Sequence, residues 1–154
     1  IVLTEGGAQR RDSVRAGLLA LTADIDIVLV HDAARPLVTS DLIGRVIEAA
    51  DAMTCAIAAL PASDTVHAVE DDFIVATPER STLWLAQTPQ AFPRDLLLRA
   101  HENAQKEGVV STDDAALVLR VGGRVKIVHG DPRNIKITQA MDLTIAELFL
   151  RKTR

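Results

Sequence analysis

A four-residue apolar run, Ile27-Val28-Leu29-Val30, passes directly into His31-Asp32-Ala33-Ala34-Arg35-Pro36. An unbroken, mostly β-branched stretch closed by a turn signal predicts a strand buried on both faces, the central strand of a parallel sheet. Pro36 lacks an amide donor and stops any regular continuation. In open α/β sheets ligands bind beyond the carboxyl ends of such strands, and Asp32 and Arg35 stand there. A carboxylate is a hard-oxygen ligand for a divalent metal, and a guanidinium is a fixed partner for phosphate. On this stretch alone, Asp32 as a cap for the next helix and Arg35 as a solvated charge explain the pattern equally well.

The flanking sequence predicts alternating elements. Ile1-Val2-Leu3 reads as the end of a strand, Gly6-Gly7 as a turn, and about Gln9 to Leu21 as a helix with Val14, Leu18 and Leu21 inward. A glycine turn before a helix start is either a plain tight turn or an anion- or base-binding loop. Thr39 or Ser40 caps a helix running to about Ala52, with Leu42, Ile43, Val46, Ile47 and Ala50 as its core stripe. Cys55–Leu60 is a further strand, ended by Pro61. This order is that of βαβ units.

The pattern then breaks. Thr65–Glu70 and Phe73–Ala76 read as two short strands about Asp71-Asp72. Such a hairpin cannot join a parallel core and is expected to project as an arm; because an isolated hairpin is marginal in water, a second subunit is its expected support. Leu83–Gln87 returns to the body. Pro93 is placed as the first residue of a helix running to about Glu107, with Leu96, Leu97, Ala100 and Ala104 inward and Gly108 as its stop. Thr112 is placed as the cap of the next helix, whose first turn holds Asp113 and Asp114, sufficiently explained there by the helix dipole. Gly122-Gly123 ends that helix. Val125–Val128 and Ile135-Lys136-Ile137 read as strands, and a final helix opens at Thr138 or Gln139 with Met141, Ile145, Leu148 and Phe149 inward. The tail Arg151-Lys152-Thr153-Arg154 is a basic helix end.

Composition removes several classes. The 154 residues are 48% hydrophobic and 25% charged, which fits one soluble globular domain, residues 1–154, with an arm at about 63–80. No apolar run approaches about eighteen residues and no signal or transit segment is visible, so no membrane partner is expected. A net charge of -4, 3% aromatics and no tyrosine argue against nucleic-acid binding. The single cysteine, Cys55, reads as a core residue and fits a reducing cytoplasm. The four histidines show no metal-ligand spacing. The chain begins with Ile1 rather than Met, so the expectation is that its true N-terminus is either missing or processed.

Taken together, His31-Asp32-Ala33-Ala34-Arg35-Pro36, Asp64-Thr65, Thr88-Pro89-Gln90, Thr112-Asp113-Asp114 and Asn134-Ile135-Lys136-Ile137-Thr138 occur in an order that resembles the 2-C-methyl-D-erythritol 4-phosphate cytidylyltransferases of the non-mevalonate isoprenoid pathway. The resemblance runs from Gly6 to the final helix. It implies a three-layer, mainly parallel, Rossmann-like nucleotidyltransferase sheet with a projecting β-hairpin arm, and a cytoplasmic homodimer. It implies CTP and a sugar-alcohol phosphate as substrates and Mg2+ or another divalent cation as cofactor.

By the same resemblance Asp32 helps hold the metal, and Arg35 and Ala33 contact the sugar phosphate. Lys136 stabilises the transition state at the α-phosphate, and a lone lysine in an apolar strand is otherwise costly to bury. The alternative for Lys136 is an edge-strand charge that guards against aggregation. Gly7 and Ser13 read the cytosine. Thr65 and Arg80 reach from the arm into the neighbouring subunit's site. Thr88 and Thr112 line the methylerythritol phosphate pocket.

One departure stands out. The glycine-rich loop with arginine and lysine that cradles the triphosphate in this family is not within the chain, and Ala8 stands where the family often has an acidic residue. This stretch by itself is expected to bind CTP weakly and turn over slowly. Two alternatives stay open: a pentitol-phosphate cytidylyltransferase acting on ribitol 5-phosphate, and a non-catalytic dimerising fragment.

Overall fold

The structure is a computed structural model that describes residues 1–151. Its elements are α1 (Arg10–Leu19), β1 (Ile27–Val30), α2 (Ser40–Glu48), β2 (Thr54–Pro61), β3 (Ala68–Glu70), β4 (Phe73–Ala76), a 3-10 turn (Arg80–Thr82), β5 (Trp84–Pro93), α3 (Arg94–Lys106), α4 (Asp114–Arg120), β6 (Arg124–His129) and α5 (Ala140–Arg151). Four strands form one sheet in the order β1-β5-β2-β6, and β3 and β4 form a separate hairpin. No described helix is long and apolar enough to cross a membrane.

The sheet is built by alternation. Val28, Cys55, Ile57 and Phe92 point to one face, where α1, α3 and α4 contribute Leu18, Leu96, Leu97, Ala100, Ala104, Leu117 and Val118. Ala56, Ala58 and Ala91 point to the other, where Leu42 and Val46 of α2 pack. Period-2 alternation gives each strand two apolar faces, and the result is three layers, helices on both sides of a sheet. The alanines leave room for α2 to lie close. Its N-terminus is capped by Thr39, whose hydroxyl accepts from the Leu42 amide at 3.2 Å. Gly108, at φ +65°, closes α3 in the left-handed region.

Several expectations change. β1 is not a central parallel strand: among the described residues it pairs only with β5, antiparallel, with Ile27 opposite Pro93 and Val30 opposite Gln90. β5 also pairs antiparallel with β2, and β2 pairs parallel with β6. β1, β2 and β6 therefore share a direction and β5 opposes them. An apolar run reports burial, and burial does not name the neighbour.

Leu83–Gln87 is not a separate segment, since β5 continues from Trp84 to Pro93. Pro93 is the cap of α3 rather than its first residue. Asp113, not Thr112, caps α4, its carboxylate accepting from the Ala116 amide at 3.0 Å. Ile135-Lys136-Ile137 is a loop, not a strand, with the Ile137 amide donating to the Ala34 carbonyl at 2.8 Å. α2 stops at Glu48. On α5, Met141, Ile145 and Leu148 are exposed and Ala146 is the buried residue; apolar residues surround that helix, so periodicity could not select its inward side. Lys152, Thr153 and Arg154 of the expected basic tail lie outside the described residues.

The hairpin turns at Asp71 and Asp72, with φ of 48° and 67°. Left-handed angles at both central positions match the twist of the strands, and aspartate tolerates them. Every residue of β3 and β4 is exposed, including Val69, Phe73, Ile74 and Val75.

Cys55 is fully buried at the base of the sheet. Burial first, then the nearby Asp51 charge, push its thiol up to about 11. The thiolate is the reactive form, so Ellman's reagent at pH 8 is expected to leave the folded protein unmodified and to titrate one thiol in denaturant. Rapid modification of the native protein would contradict this placement.

Candidate functional site

The loop after β1 turns tightly, with the Arg35 amide donating to the Asp32 carbonyl at 2.9 Å. Both side chains thereby stay at the strand's end. β5 supplies the wall opposite: Thr88 Oγ1 accepts from the Asp32 amide at 2.9 Å and lies 2.9 Å from His31 Nδ1.

The loop after β6 is latched to the same strand. The buried Gln87 amide donates to the Asp131 carbonyl (3.0 Å) and accepts from the Asp131 amide (3.2 Å), copying a backbone pairing. Buried Asn134 donates to the Thr88 carbonyl at 2.8 Å, and its own carbonyl accepts from Arg35 Nη1 at 2.7 Å. Gly130 makes the latch possible, because a Cβ there would lie 2.3 Å from Gln87 Oε1. These bonds bring Lys136, a hundred residues along the chain, to the end of β1.

Asp32 is the meeting point. Its Oδ2 lies 3.0 Å from Lys136 Nζ and 3.7 Å from Arg35 Nε, and its Oδ1 lies 3.8 Å from Arg10 Nε. A cavity of about 230 Å³ opens beside it, lined by Arg10, Asp32, Arg35, Thr88, Thr112 and Lys136 among others. Three cations there oppose two carboxylates, Asp32 and the capping Asp113. Burial pulls the Arg35 guanidinium below its ordinary value while the Asp32 charge works the other way, and Arg35 Nε has no hydrogen-bond partner among the described residues. A half-buried guanidinium beside an exposed ammonium suits an anion that can bring its own oxygens, such as a phosphate.

Among the described residues no group of three or more His, Cys, Asp or Glu could hold a metal by itself. Asp32 is a single hard-oxygen donor. That fits a divalent cation whose other ligands are phosphate oxygens and water.

Of the residues expected at a site, the cavity thus gathers Asp32, Arg35, Thr88, Thr112 and Lys136. Lys136 is not an interior lysine; its side chain is 46% exposed, so the burial argument for it does not hold. Ala33 is an exposed neighbour of Asp32 but not a lining residue. Gly7 and Ser13 meet each other, the Gly7 amide donating to Ser13 Oγ at 3.1 Å. Thr65 and Arg80 are exposed at the base of the hairpin and do not line this cavity; Arg80 donates to the Ser63 carbonyl at 3.0 Å.

Arg10 and Gln87 are not singled out by the sequence, and Asn134 stands there only as part of a motif, with no role of its own. Arg10 carried a signal: a cation in the first turn of α1, where the helix dipole disfavours it. Gln87 carries none, because an amide in a strand is ordinary; Asn134 is marked by its motif, but not its bonds to Thr88 and Arg35. Asp114 is more than a first-turn acid. It is fully buried, 2.9 Å from His101 Nε2 and 2.7 Å from Arg10 Nη1.

Burial alone would raise the Asp114 carboxyl, but His101 and then Arg10 outweigh it and hold the group below its ordinary value. A depressed carboxyl contributes stability above the ordinary carboxylate range, about pH 4, and loses it as pH falls through the depressed value. Asp114→Asn is therefore expected to cost roughly 1–3 kcal/mol at pH 7 and to flatten the fall in stability on acidification, measured by denaturant titration at stepped pH. An unchanged acid slope would refute this.

A sequence profile of 2-C-methyl-D-erythritol 4-phosphate cytidylyltransferase matches residues 1–152. The enzyme of that name from Geobacter metallireducens is 48% identical over 153 residues, covering 97% of this chain and 66% of the relative. That from Caldanaerobacter subterraneus subsp. tengcongensis is 48% identical over 151 residues, again 97% and 66%. The crystal structure of the Thermus thermophilus enzyme superposes with a TM-score of 0.88 at 41% identity, covering 97% of this chain and 73% of that one. The chain thus spans about two thirds of the length of these curated relatives. With a profile match over almost every residue and close to half of all positions identical, the chain belongs to the 2-C-methyl-D-erythritol 4-phosphate cytidylyltransferase family.

Proposed function

We propose that the protein transfers a cytidylyl group from CTP to 2-C-methyl-D-erythritol 4-phosphate, releasing pyrophosphate and forming 4-diphosphocytidyl-2-C-methyl-D-erythritol. The observation that carries this reading is the grouping of Asp32, Arg35 and Lys136 around one cavity in a chain of this family. The relatives' names support methylerythritol phosphate over a pentitol phosphate such as ribitol 5-phosphate. The cation set argues against a purely dimerising fragment, which has no need of it.

The chemistry follows from charge. A phosphate must approach a triphosphate, and two anions repel. Arg35, fixed by the Asn134 carbonyl, offsets the charge of the sugar phosphate and holds its oxygens in line for attack on the α-phosphorus. Lys136, which with Arg35 lies on Asp32 Oδ2, meets the charge that grows on the α-phosphate as the new P–O bond forms and the bond to pyrophosphate breaks. Asp32 would hold a magnesium or similar divalent ion, which when bound supplies positive charge at the α-phosphate and the leaving pyrophosphate. Thr88 and Thr112, both in the cavity wall, are assigned to the sugar-phosphate side together with Ala33, which adjoins Asp32 outside that wall; Thr88 also accepts from the Asp32 amide. Gly7 and Ser13 are assigned to the cytosine. No covalent intermediate with the chain is needed.

The arm is assigned to a homodimer, with Thr65 and Arg80 delivered to the partner's site. Its exposed Phe73 and Ile74, with no cover in a single chain, support this. Cysteine usage supports a cytoplasmic location, since one buried thiol fits a reducing compartment.

The test is pyrophosphate release by the protein from its complete reading frame with CTP, Mg2+ and methylerythritol 4-phosphate, beside ribitol 5-phosphate. Release with the first alone is expected; release only with ribitol phosphate, or with neither, would overturn the reading. Lys136→Ala is expected to lower kcat about 10²–10³-fold.

For the shared site, Arg80→Ala and Lys136→Ala proteins are each expected to be inactive, and mixing them after subunit exchange should restore about a quarter of wild-type activity, since half the dimers are mixed and each holds one intact site. No recovery in mixtures that do exchange subunits would sink the shared site.

A further inference from the structure

Arg10 belongs to no motif discussed above, yet it stands in the wall of the cavity with its guanidinium between two carboxylates. Nη1 lies 2.7 Å from Asp114 Oδ2, and Nε lies 3.8 Å from Asp32 Oδ1. The two acids differ in setting. Asp114 and its partner His101 are 1% and 0% exposed, so packing of α3 on α4 sets their places. A carboxylate only accepts, hence His101 Nε2, at 2.9 Å, carries the proton of that bond. Arg11 fixes the same turn of α1 by donating to the carbonyls of Ala104 and Val109. Asp32, by contrast, stands at the open end of β1. The other two cations, Lys136 and Arg35, both lie on its Oδ2. Arg10 is what faces Oδ1. Among the described residues no other cation pairs with that oxygen.

We propose that Arg10 is a positioning residue for the reaction, anchored by the buried Asp114–His101 pair and acting through Asp32, whose carboxylate it holds from the side opposite Lys136. The proposal rests on the functional reading above. It uses the forked shape of arginine: a guanidinium spans two carboxylates, whereas an ammonium is one point charge that satisfies one of them.

That difference supplies the test. Arg10→Lys keeps a cation for the buried Asp114 and is expected to fold with a little-altered Tm, whereas Arg10→Ala strands that acid and serves only as a comparison. In the enzyme from its complete reading frame, Arg10→Lys should lower kcat by about 10- to 100-fold, as misplacing a reacting group does, with KM for the sugar phosphate moving less than about threefold. In an Asp32→Asn background the same change should lower kcat less than about twofold, because residues acting through one another are not additive. Equal losses in the two backgrounds, or an unaltered kcat, would overturn the proposal.

The crystal structure of Arg10→Lys decides the geometry without turnover. The Asp32 carboxylate is expected to rotate off its present place toward Lys136, and an unmoved carboxylate overturns the proposal. A wild-type enzyme with no turnover would instead overturn the cytidylyltransferase reading and leave the crystallographic result to stand on its own.

Discussion

The Asp32 carboxylate gathers charges that the chain keeps far apart. Arg10 comes from the first helix, Arg35 from the turn after β1 and Lys136 from the loop after β6. Three cations held this close repel one another, and the acid between them is what makes the arrangement tolerable. It also sets them around one cavity instead of letting them splay into water. The pairs are partly solvated, so their value to stability is small. Their value lies in preorganisation: three cations stand fixed around one cavity, ready to meet an anion.

Behind that centre stands a layer of neutral hydrogen bonds. Gln87 and Asn134 have no charge to lend, yet they pin the Asp131–Lys136 stretch to β5 and seat Arg35. A loop with few regular bonds of its own is thus made as definite as a strand. Gly130 belongs to the same device, since any side chain would displace the Gln87 amide. On the other flank the buried Asp114–His101 pair does comparable work from the helical layer. Charge at the cavity is placed by groups that themselves lie out of solvent.

The core and the site draw on the same strand. β5 puts Phe92 and Ala91 into the two apolar layers, while Gln87 and Thr88 on the same strand face the loops. The strand that does both is the antiparallel one, threaded between β1 and β2. Entering from the arm, the chain must cross the whole sheet once to reach α3, and the crossing lays its polar residues along the ends of β1 and β2.

Local pattern carried the helices, their N-caps to within a residue, the hairpin with its Asp71-Asp72 turn, and the apolar faces of the sheet. These follow from periodicity and turn chemistry, which act between near neighbours. The ordered motifs carried the family, and with it Asp32, Arg35 and Lys136 as partners. Tertiary structure alone decided that β1 lies beside β5 and not β2, and that Ile135-Lys136-Ile137 is a latched loop. It alone decided which side of α5 is covered, and that Arg10, Asp114 and His101 form one chain of contacts into the site. The reason is the same throughout. An apolar residue announces that it will be buried, and a charged one that it needs a partner, but neither names the distant segment that answers, because that is settled only when all the faces are packed together.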